Sequence, residues 1–420
     1  MNRINNQFID TGRLVTGVYD VDIGKPIENA TVQITTADEN GDPVVVEELV
    51  TDSSGKTPVI DLPAPPIEYS LSPGEPMPYS LYNIFVNVEG YHPVRVENAQ
   101  ILPNNTAIQQ VKLRPAVNQF PEAQNIYIEP HTLYGVFPPK IPEEPVKPLP
   151  ESLGFVVLPD PVVPEFIVVH EGVPTDTTAR NLYIPFKDYI KNVASCEIYA
   201  TWPVSAIRAN VLAILSFTLN RVYTEWYRGK GFDFTITSST AYDQAFVYQR
   251  NIYSEISVVV DDLFTTFITK PDIRQPLLTQ YCDGVRSSCP NWLSQWGSKN
   301  LAEQGFNSVE ILRHYYGQDI FLMQAQKVEG VPLSYPGTTL QMGSTGQPVR
   351  TIQEQLNTIA NNYPAIKKMP VDGMYGESTR QAVETFQRIF NLPVTGIVDF
   401  ATWYAISNIY VAVTKLAEFR

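Results

Sequence analysis

The sequence predicts a multidomain protein in four parts: an N-terminal β-sandwich over residues 1–115, a Pro-rich linker over 116–165, an α-rich α+β domain over 166–330 and a C-terminal three-helix domain over 335–420. Three observations carry this reading. Short apolar runs of period two fill Gly12 to Arg114, twelve prolines crowd Pro115 to Pro164, and helical periodicity prevails from Ala206 onward. A chain of 420 residues also exceeds the size, roughly 250–300 residues, at which a single core stops growing.

In the first part, LVTGVYDV, TVQITTA, VVVEELVT, YNIFVNVEG and AIQQVKLRP alternate apolar and polar positions. The turn-forming stretches GKPIENA, Glu39-Asn40-Gly41-Asp42 and Asp52-Ser53-Ser54-Gly55 separate them, so about seven strands are expected in a small sandwich. Gly17 to Ile34 and NVEGYHPVRVENAQI resemble transthyretin-like modules in their strand spacing. Proline at the density of the next segment fixes φ and removes donors, so that segment is expected to run extended as a stiff tether open to a protease. Beyond it, Ala206 to Tyr227 is apolar on nearly every face, the mark of a central buried helix, and follows Trp202-Pro203, where proline suits a first turn. Further helical stretches are expected over Asn251 to Ile268 and over Leu293 to Tyr316, the latter interrupted at Gly305.

A formal net charge of −14 argues against a nucleic-acid partner, because phosphate neutralisation needs clustered Lys and Arg and no such run occurs. A glycan, recognised by aromatic faces and neutral hydrogen bonds, suits the abundant Tyr and Phe better. No stretch approaches the ~18 consecutive apolar residues of a membrane span, and Met1 to Thr11 lacks the apolar core of an ordinary cleavable signal. Cys196, Cys282 and Cys289 are too few for a disulfide framework and are expected to be reduced, with closure of a small loop between Cys282 and Cys289, which flank DGVRSS, as the alternative. His92, His131, His170 and His314 are scattered, with no C-x-x-C or H-E-x-x-H spacing, so no metal and no other cofactor is expected.

The C-terminal stretches LQMGSTGQPVRTIQEQLN and VDGMYGESTRQAVETFQRIFNLPVTGIVDFATW resemble the peptidoglycan-binding domain 1 family. Val349, Ile352, Leu356 and Ile359 share one helical face there, Thr379, Val383, Phe386 and Phe390 share another, and Ser378-Thr379 can cap the second helix. In the middle domain, YIKNVASCEIYATWPVSAIRANVLAILSFTLNRV, GFDFTITSSTAYDQAF and CPNWLSQWGSKNLAEQGFNSVEILRHYYGQDI resemble the SpoIID/LytB family, and over most of the chain the spore cortex-lytic enzymes of the SleC type.

That resemblance implies a lytic transglycosylase cleaving the β-1,4 bond between N-acetylmuramic acid and N-acetylglucosamine, with Glu197 as its catalytic acid. A carboxyl flanked by Cys196 and Ile198, just ahead of a buried helix, is expected to lose hydration, the setting in which a general acid keeps its proton. Tyr242, Gln244, Tyr281, Ser294 and Gln295 are the candidates for sugar contact, since amides and phenols suit glycan hydroxyls; Trp226, Trp292 and Trp296 are expected in the core. Asp233, Asp243 and the pair Asp261-Asp262 are candidates for a second carboxylate should the bond be hydrolysed instead. The resemblance further implies a zymogen, cut near Val156 and Val157 by a subtilisin-like germination protease, acting on cortex peptidoglycan at the cortex/coat boundary of a spore. Two rivals stand beside it: a hydrolytic muramidase or glucosaminidase, and a non-catalytic wall protein whose middle domain is scaffold.

Overall fold

The computed structural model describes residues 10–418 other than 22–23, 39–40, 75, 117–122, 131, 149–159, 331–332 and 334. The β-rich N-terminal region contains β1 (Asp10–Asp20), β2 (Thr31–Ala37), β3 (Pro43–Val50), β4 (Ile60–Ala64), a helical turn α1 (Glu68–Leu71), β5 (Ser80–Asn87), β6 (Val94–Ile101), β7 (Thr106–Leu113) and β8 (Gln124–Tyr127). One sheet has the order β3-β2-β5-β6-β8. The other runs β4-β1-β7 and gains a fourth strand, β13 (Ile252–Tyr253), from the middle of the chain, pairing Ile252 with Ile108 and Tyr253 with Ala107. Alternation along β1, β5 and β7 turns Leu14, Val18, Tyr82, Ile84, Val86 and Val111 into a common apolar core.

The middle region opens with β9 (Val162–Val163), β10 (Phe166–His170) and β11 (Asn181–Pro185), then α2 (Phe186–Glu197) and α3 (Val204–Tyr223). Helix α3 is buried along nearly its whole length, as an all-round apolar sequence requires. It begins after Pro203, whose extended backbone turns the chain into the first helical turn. β12 (Ile236–Thr237), α4 (Ser254–Leu263) and β14 (Thr266–Thr269) follow. The single helix expected over Asn251 to Ile268 is therefore wrong at both ends: the β-branched run Thr265, Thr266, Ile268, Thr269 continues as a strand against β17 (Phe321–Gln324), and Ile252–Tyr253 joins the N-terminal sheet. β15 (Tyr281–Cys282) pairs in parallel with β16 (Leu293–Ser294), which leads into α5 (Gln295–Glu303). Gly305, at φ +93°, separates α5 from α6 (Ser308–Tyr316), and β18 (Lys327–Val328) closes back on β9.

At the C-terminus α7 (Gln347–Ile359), α8 (Glu377–Ile389) and α9 (Phe400–Glu418) bury Val349, Ile352, Leu356, Ile359, Val383 and Phe386. Gly376, not Ser378, precedes α8, and no side chain caps it; Thr379 instead accepts a hydrogen bond from the buried Gln353 amide at 3.1 Å. Among the described residues no helix is long and apolar enough to cross a membrane.

The Pro-rich stretch is extended yet is not a spacer. Its first described residues form β8, parallel to β6, and residues 132–148 lie against the middle region. The Ile141 amide donates to the Ala241 carbonyl at 2.8 Å, the Leu278 amide to the Pro145 carbonyl at 2.8 Å, and Gln275 exchanges two hydrogen bonds with the Lys147 backbone. Polyproline-like backbone makes no bonds to itself, so its carbonyls and remaining amides are available to a neighbouring surface. Val156 and Val157 fall outside the described residues.

Two charges, one buried and one half-buried, test this packing. Arg221 on α3 is fully enclosed and holds Asp243 through Nε at 2.8 Å, with both side chains inaccessible to solvent. Burial opposes the Arg221 charge, but Asp243 and Glu143 more than offset it and hold the guanidinium above its ordinary value. Asp243→Ala leaves that charge poorly compensated and is expected to cost about 3–5 kcal/mol, read as a lower urea midpoint of the middle region. Lys56 reaches from the N-terminal sheets to Asn391 Oδ1 at 2.7 Å beside α8. Burial, partly countered by Asp52, pulls Lys56 down to about 8. A lysine lowered on folding carries its penalty fully below pH 8 and sheds it as pH rises through the ordinary lysine range. Lys56→Met is therefore expected to stabilise the protein more at pH 7 than at pH 10.5 in urea titrations; equal effects would contradict this.

Candidate functional site

Glu197 is the last residue of α2, half-buried, with its carboxylate at the wall of a cavity of about 460 Å³. The preceding residues explain its position: Tyr189, Ile190, Val193 and Ala194 bury one face of α2, and Ile198 leaves the helix extended toward the aromatic cluster of Tyr199, Trp202 and Trp296. Three donors converge on the carboxylate. The Ala245 amide donates to Oε1 at 2.8 Å, the Tyr281 hydroxyl to the same oxygen at 3.3 Å, and Gln295 Nε2 to Oε2 at 2.9 Å while also bonding the Glu197 carbonyl at 2.8 Å. Burial, and then the Glu197 charge, push the Tyr281 phenol well above its ordinary value, so this hydroxyl remains a donor.

Each donor is held from behind. Asp243 accepts from the Tyr227 hydroxyl at 2.7 Å and from the Thr237 amide and hydroxyl at 2.9 and 2.7 Å, which pins the loop ending at Ala245. Gln295 is presented at the start of α5, where the Ser294 hydroxyl caps the helix by accepting from the Gly297 amide at 2.9 Å. Cys282 and Cys289 form a disulfide with a Cα–Cα distance of 5.7 Å, contrary to the expectation of reduced thiols. Spacing of seven residues and an intervening turn bring the two cysteines together. The Asp283 carboxylate accepts from the Arg286 and Ser287 amides at 3.0 and 2.8 Å and shapes the same loop, which lines the cavity with Arg286, Ser287 and Ser288.

The candidate residues divide into two groups. Tyr281 and Gln295 meet at Glu197, where they bond the carboxylate, and both line the cavity. Gln244 is fully buried, with its amide oxygen accepting from Tyr189 and Thr218 at 3.1 and 2.8 Å, so it belongs to the scaffold behind the site. The Ser294 hydroxyl is occupied in capping, and Tyr242 contributes its carbonyl to Arg221 rather than its ring to the cavity wall. Trp292, expected in the core, lines the cavity. Of the carboxylates considered for a second role, Asp243 is paired with Arg221, Asp261 with Lys187 and Lys191, Asp262 with Arg208, and Asp233 accepts from Asn181. Asp283 is the carboxylate that shares the cavity with Glu197, and its place between Cys282 and a turn-forming Gly284 was the available signal. Among the described residues no group of three or more His, Cys, Asp or Glu is placed to hold a metal ion.

Comparison with known proteins identifies the C-terminal part. Residues 345–406, covering α7, α8 and the first turns of α9, match the family described as "Putative peptidoglycan binding domain". The protein thus carries a peptidoglycan-binding domain, and peptidoglycan is its partner. The solved N-terminal domain of SleB is similar at 29% identity over 17% of this chain and 93% of that one, with a TM-score of 0.15. The TIE protein of Bacillus anthracis is similar at 13% identity, covering 26% of this chain and 17% of that one, TM-score 0.18. The minor pilin GBS52 of Streptococcus agalactiae is similar at 18% identity, covering 26% and 46%, TM-score 0.19. TM-scores this low carry no argument. No curated protein matches the chain at the significance required.

The disulfide and Asp283 together close the loop at residues 282–289, so reduction is expected to speed hydrogen exchange at the Arg286 and Ser287 amides while leaving α3 protected. Unchanged exchange in that loop after reduction would show that Asp283 holds it unaided.

Proposed function

We propose that this protein is the zymogen of a lytic transglycosylase that cleaves N-acetylmuramic acid–N-acetylglucosamine bonds of spore cortex peptidoglycan. In this reading it acts at the cortex/coat boundary after a subtilisin-like germination protease cuts near Val156 and Val157. The observation that carries the reading is the arrangement of Glu197: one carboxylate at a cavity wall, oriented by Ala245, Tyr281 and Gln295, in a chain that also carries a peptidoglycan-binding domain. One carboxyl group suffices for this reaction. Glu197 donates its proton to the glycosidic oxygen as the C1–O bond breaks, and the resulting carboxylate takes the proton of the muramic C6 hydroxyl as that oxygen bonds C1. No water is consumed, the product end is 1,6-anhydromuramoyl, and Glu197 is restored to its acid form. Ala245 and Gln295 keep the carboxylate aimed during both transfers.

A hydrolytic alternative is favoured by one feature, the presence of Asp283 in the same cavity. Its oxygens are spent on the amides of Arg286 and Ser287, which supports the single-carboxylate reading. Mass spectrometry of muropeptides released by protease-treated protein separates the possibilities. Anhydro-ended products are expected from the natural sequence, with release at least about 100-fold lower for Glu197→Gln. Reducing ends would move the assignment to a hydrolase, and absence of products from folded, treated protein would leave a wall-binding scaffold.

A further inference from the structure

We propose that the segment Leu133–Lys147 is an inhibitory strap that occupies the glycan path over Glu197, and that a cut beyond it activates the protein only when the strap leaves. This inference rests on the reading of the Glu197 cavity as the glycan site. The cavity has two walls of different origin. Glu197, Tyr281, Arg286, Trp292 and Gln295 form one, and the strap, from Leu133 through Phe137, Pro138, Pro139, Lys140 and Pro142, forms the other. A polymer strand has to lie along an open groove, and here one side of the cavity is formed by the protein's own Pro-rich segment.

The strap is seated at both ends and, in its middle, against Tyr281, which bonds Glu197. At its start, the Leu133 amide donates to the Tyr199 hydroxyl at 2.9 Å and the Leu133 carbonyl accepts from Trp296 Nε1 at 3.1 Å. The Tyr134 ring lies under the Arg286 guanidinium at 4.1 Å. In the middle, Lys140 places its ammonium 4.5 Å from the Tyr281 ring centre and donates to the Asp243 carbonyl at 2.8 Å. Beyond it, Glu143 clamps Arg221 with two hydrogen bonds at 2.5 and 3.1 Å and also pairs with Lys147 at 2.7 Å. Of these partners, Tyr281 and Arg286 themselves line the cavity.

Val156 and Val157 lie C-terminal to the last of these anchors. A cut there breaks none of these contacts, and it leaves the strap continuous with β8, which is paired to β6. The N-terminal region is in turn tied to the middle region by the β7–β13 pairing and by Gln100, whose backbone and side chain bond Asn251 and Arg250. The nicked protein is therefore expected to remain a complex with its cavity still covered.

The test uses the uncut full chain, its nicked form, and the variants Lys140→Ala and Glu143→Ala. It follows hydrogen exchange at the Ile141, Glu143 and Lys147 amides, protection of the Ala245 amide by a soluble peptidoglycan oligosaccharide, and release of muropeptides. In the uncut natural chain the strap amides are expected to be protected and the oligosaccharide to leave Ala245 unaffected. Glu143→Ala is expected to speed strap exchange at least about tenfold, the scale of one lost charged hydrogen bond, and to admit the oligosaccharide without any cut. Lys140→Ala, which leaves the Arg221 pairs intact, is the second variant should Glu143→Ala fail to fold. Oligosaccharide at Ala245 in the uncut natural chain with the strap seated, or none in a strap-freed variant while the separated mature fragment binds it, overturns the proposal. Failure of every form to bind it overturns the strap together with the glycan site. Binding controlled by the strap but without release in any form leaves the strap standing and sinks only the transglycosylase chemistry.

Discussion

The buried guanidinium of Arg221 is the interaction on which the rest of the site depends. It projects from the central helix α3, is inaccessible to solvent, and satisfies its charge with Asp243, Glu143 and the Tyr242 carbonyl. Isolated in an apolar interior such a charge would be prohibitive, so its partners are fixed in place by the cost of leaving it. Asp243 is thereby held where it can also gather Tyr227 and Thr237, and the loop it anchors delivers the Ala245 amide to Glu197. The same cation fastens Glu143 of the Pro-rich segment. One side chain thus both builds the wall that aims the carboxylate and holds down the segment that covers it.

What could be read from the sequence was whatever local periodicity records. The apolar faces of α3, α7 and α8 follow from spacing alone, and the alternation of β1, β5 and β7 likewise. Glu197 was legible only through the motif that precedes Trp202-Pro203, because nothing in the composition around it marks a carboxylate for a cavity. Tyr281 before Cys282 and Gln295 in LSQWG were found as polar residues in separate motifs, and their meeting at Glu197 depends on where two separate strands come together. Gln244 shows the opposite case: a polar residue in a promising element whose amide is consumed inside, because α3 and α2 both present hydroxyls to it.

The Pro-rich segment was misread for a specific reason. Proline density determines that a chain is extended and lacks its own hydrogen bonds, and this holds for a spacer in water and for a strand laid on a surface alike. The difference is made by single anchors such as Glu143 and Lys147, whose partners Arg221 and Gln275 lie far away in sequence. The disulfide was misjudged similarly: three cysteines argue weakly by number, while the turn through Asp283 and Gly284 that brings two of them together is a matter of local backbone.

An extended proline-rich strap also has physical properties suited to removal. Its outward residues Val136, Ile141 and Val146 are already exposed, so it is not a core element whose loss would lay open a large apolar area. Its hold comes mainly from directed hydrogen bonds and the Glu143 charge, and water can replace these once the segment lifts. Stiffness helps it stay while attached, because a chain already confined by proline loses little further freedom on docking. The β7–β13 pairing belongs to a different class of contact, a shared sheet with apolar residues beneath it. Detachment of the N-terminal region should therefore be limited by that sheet, with the strap following it.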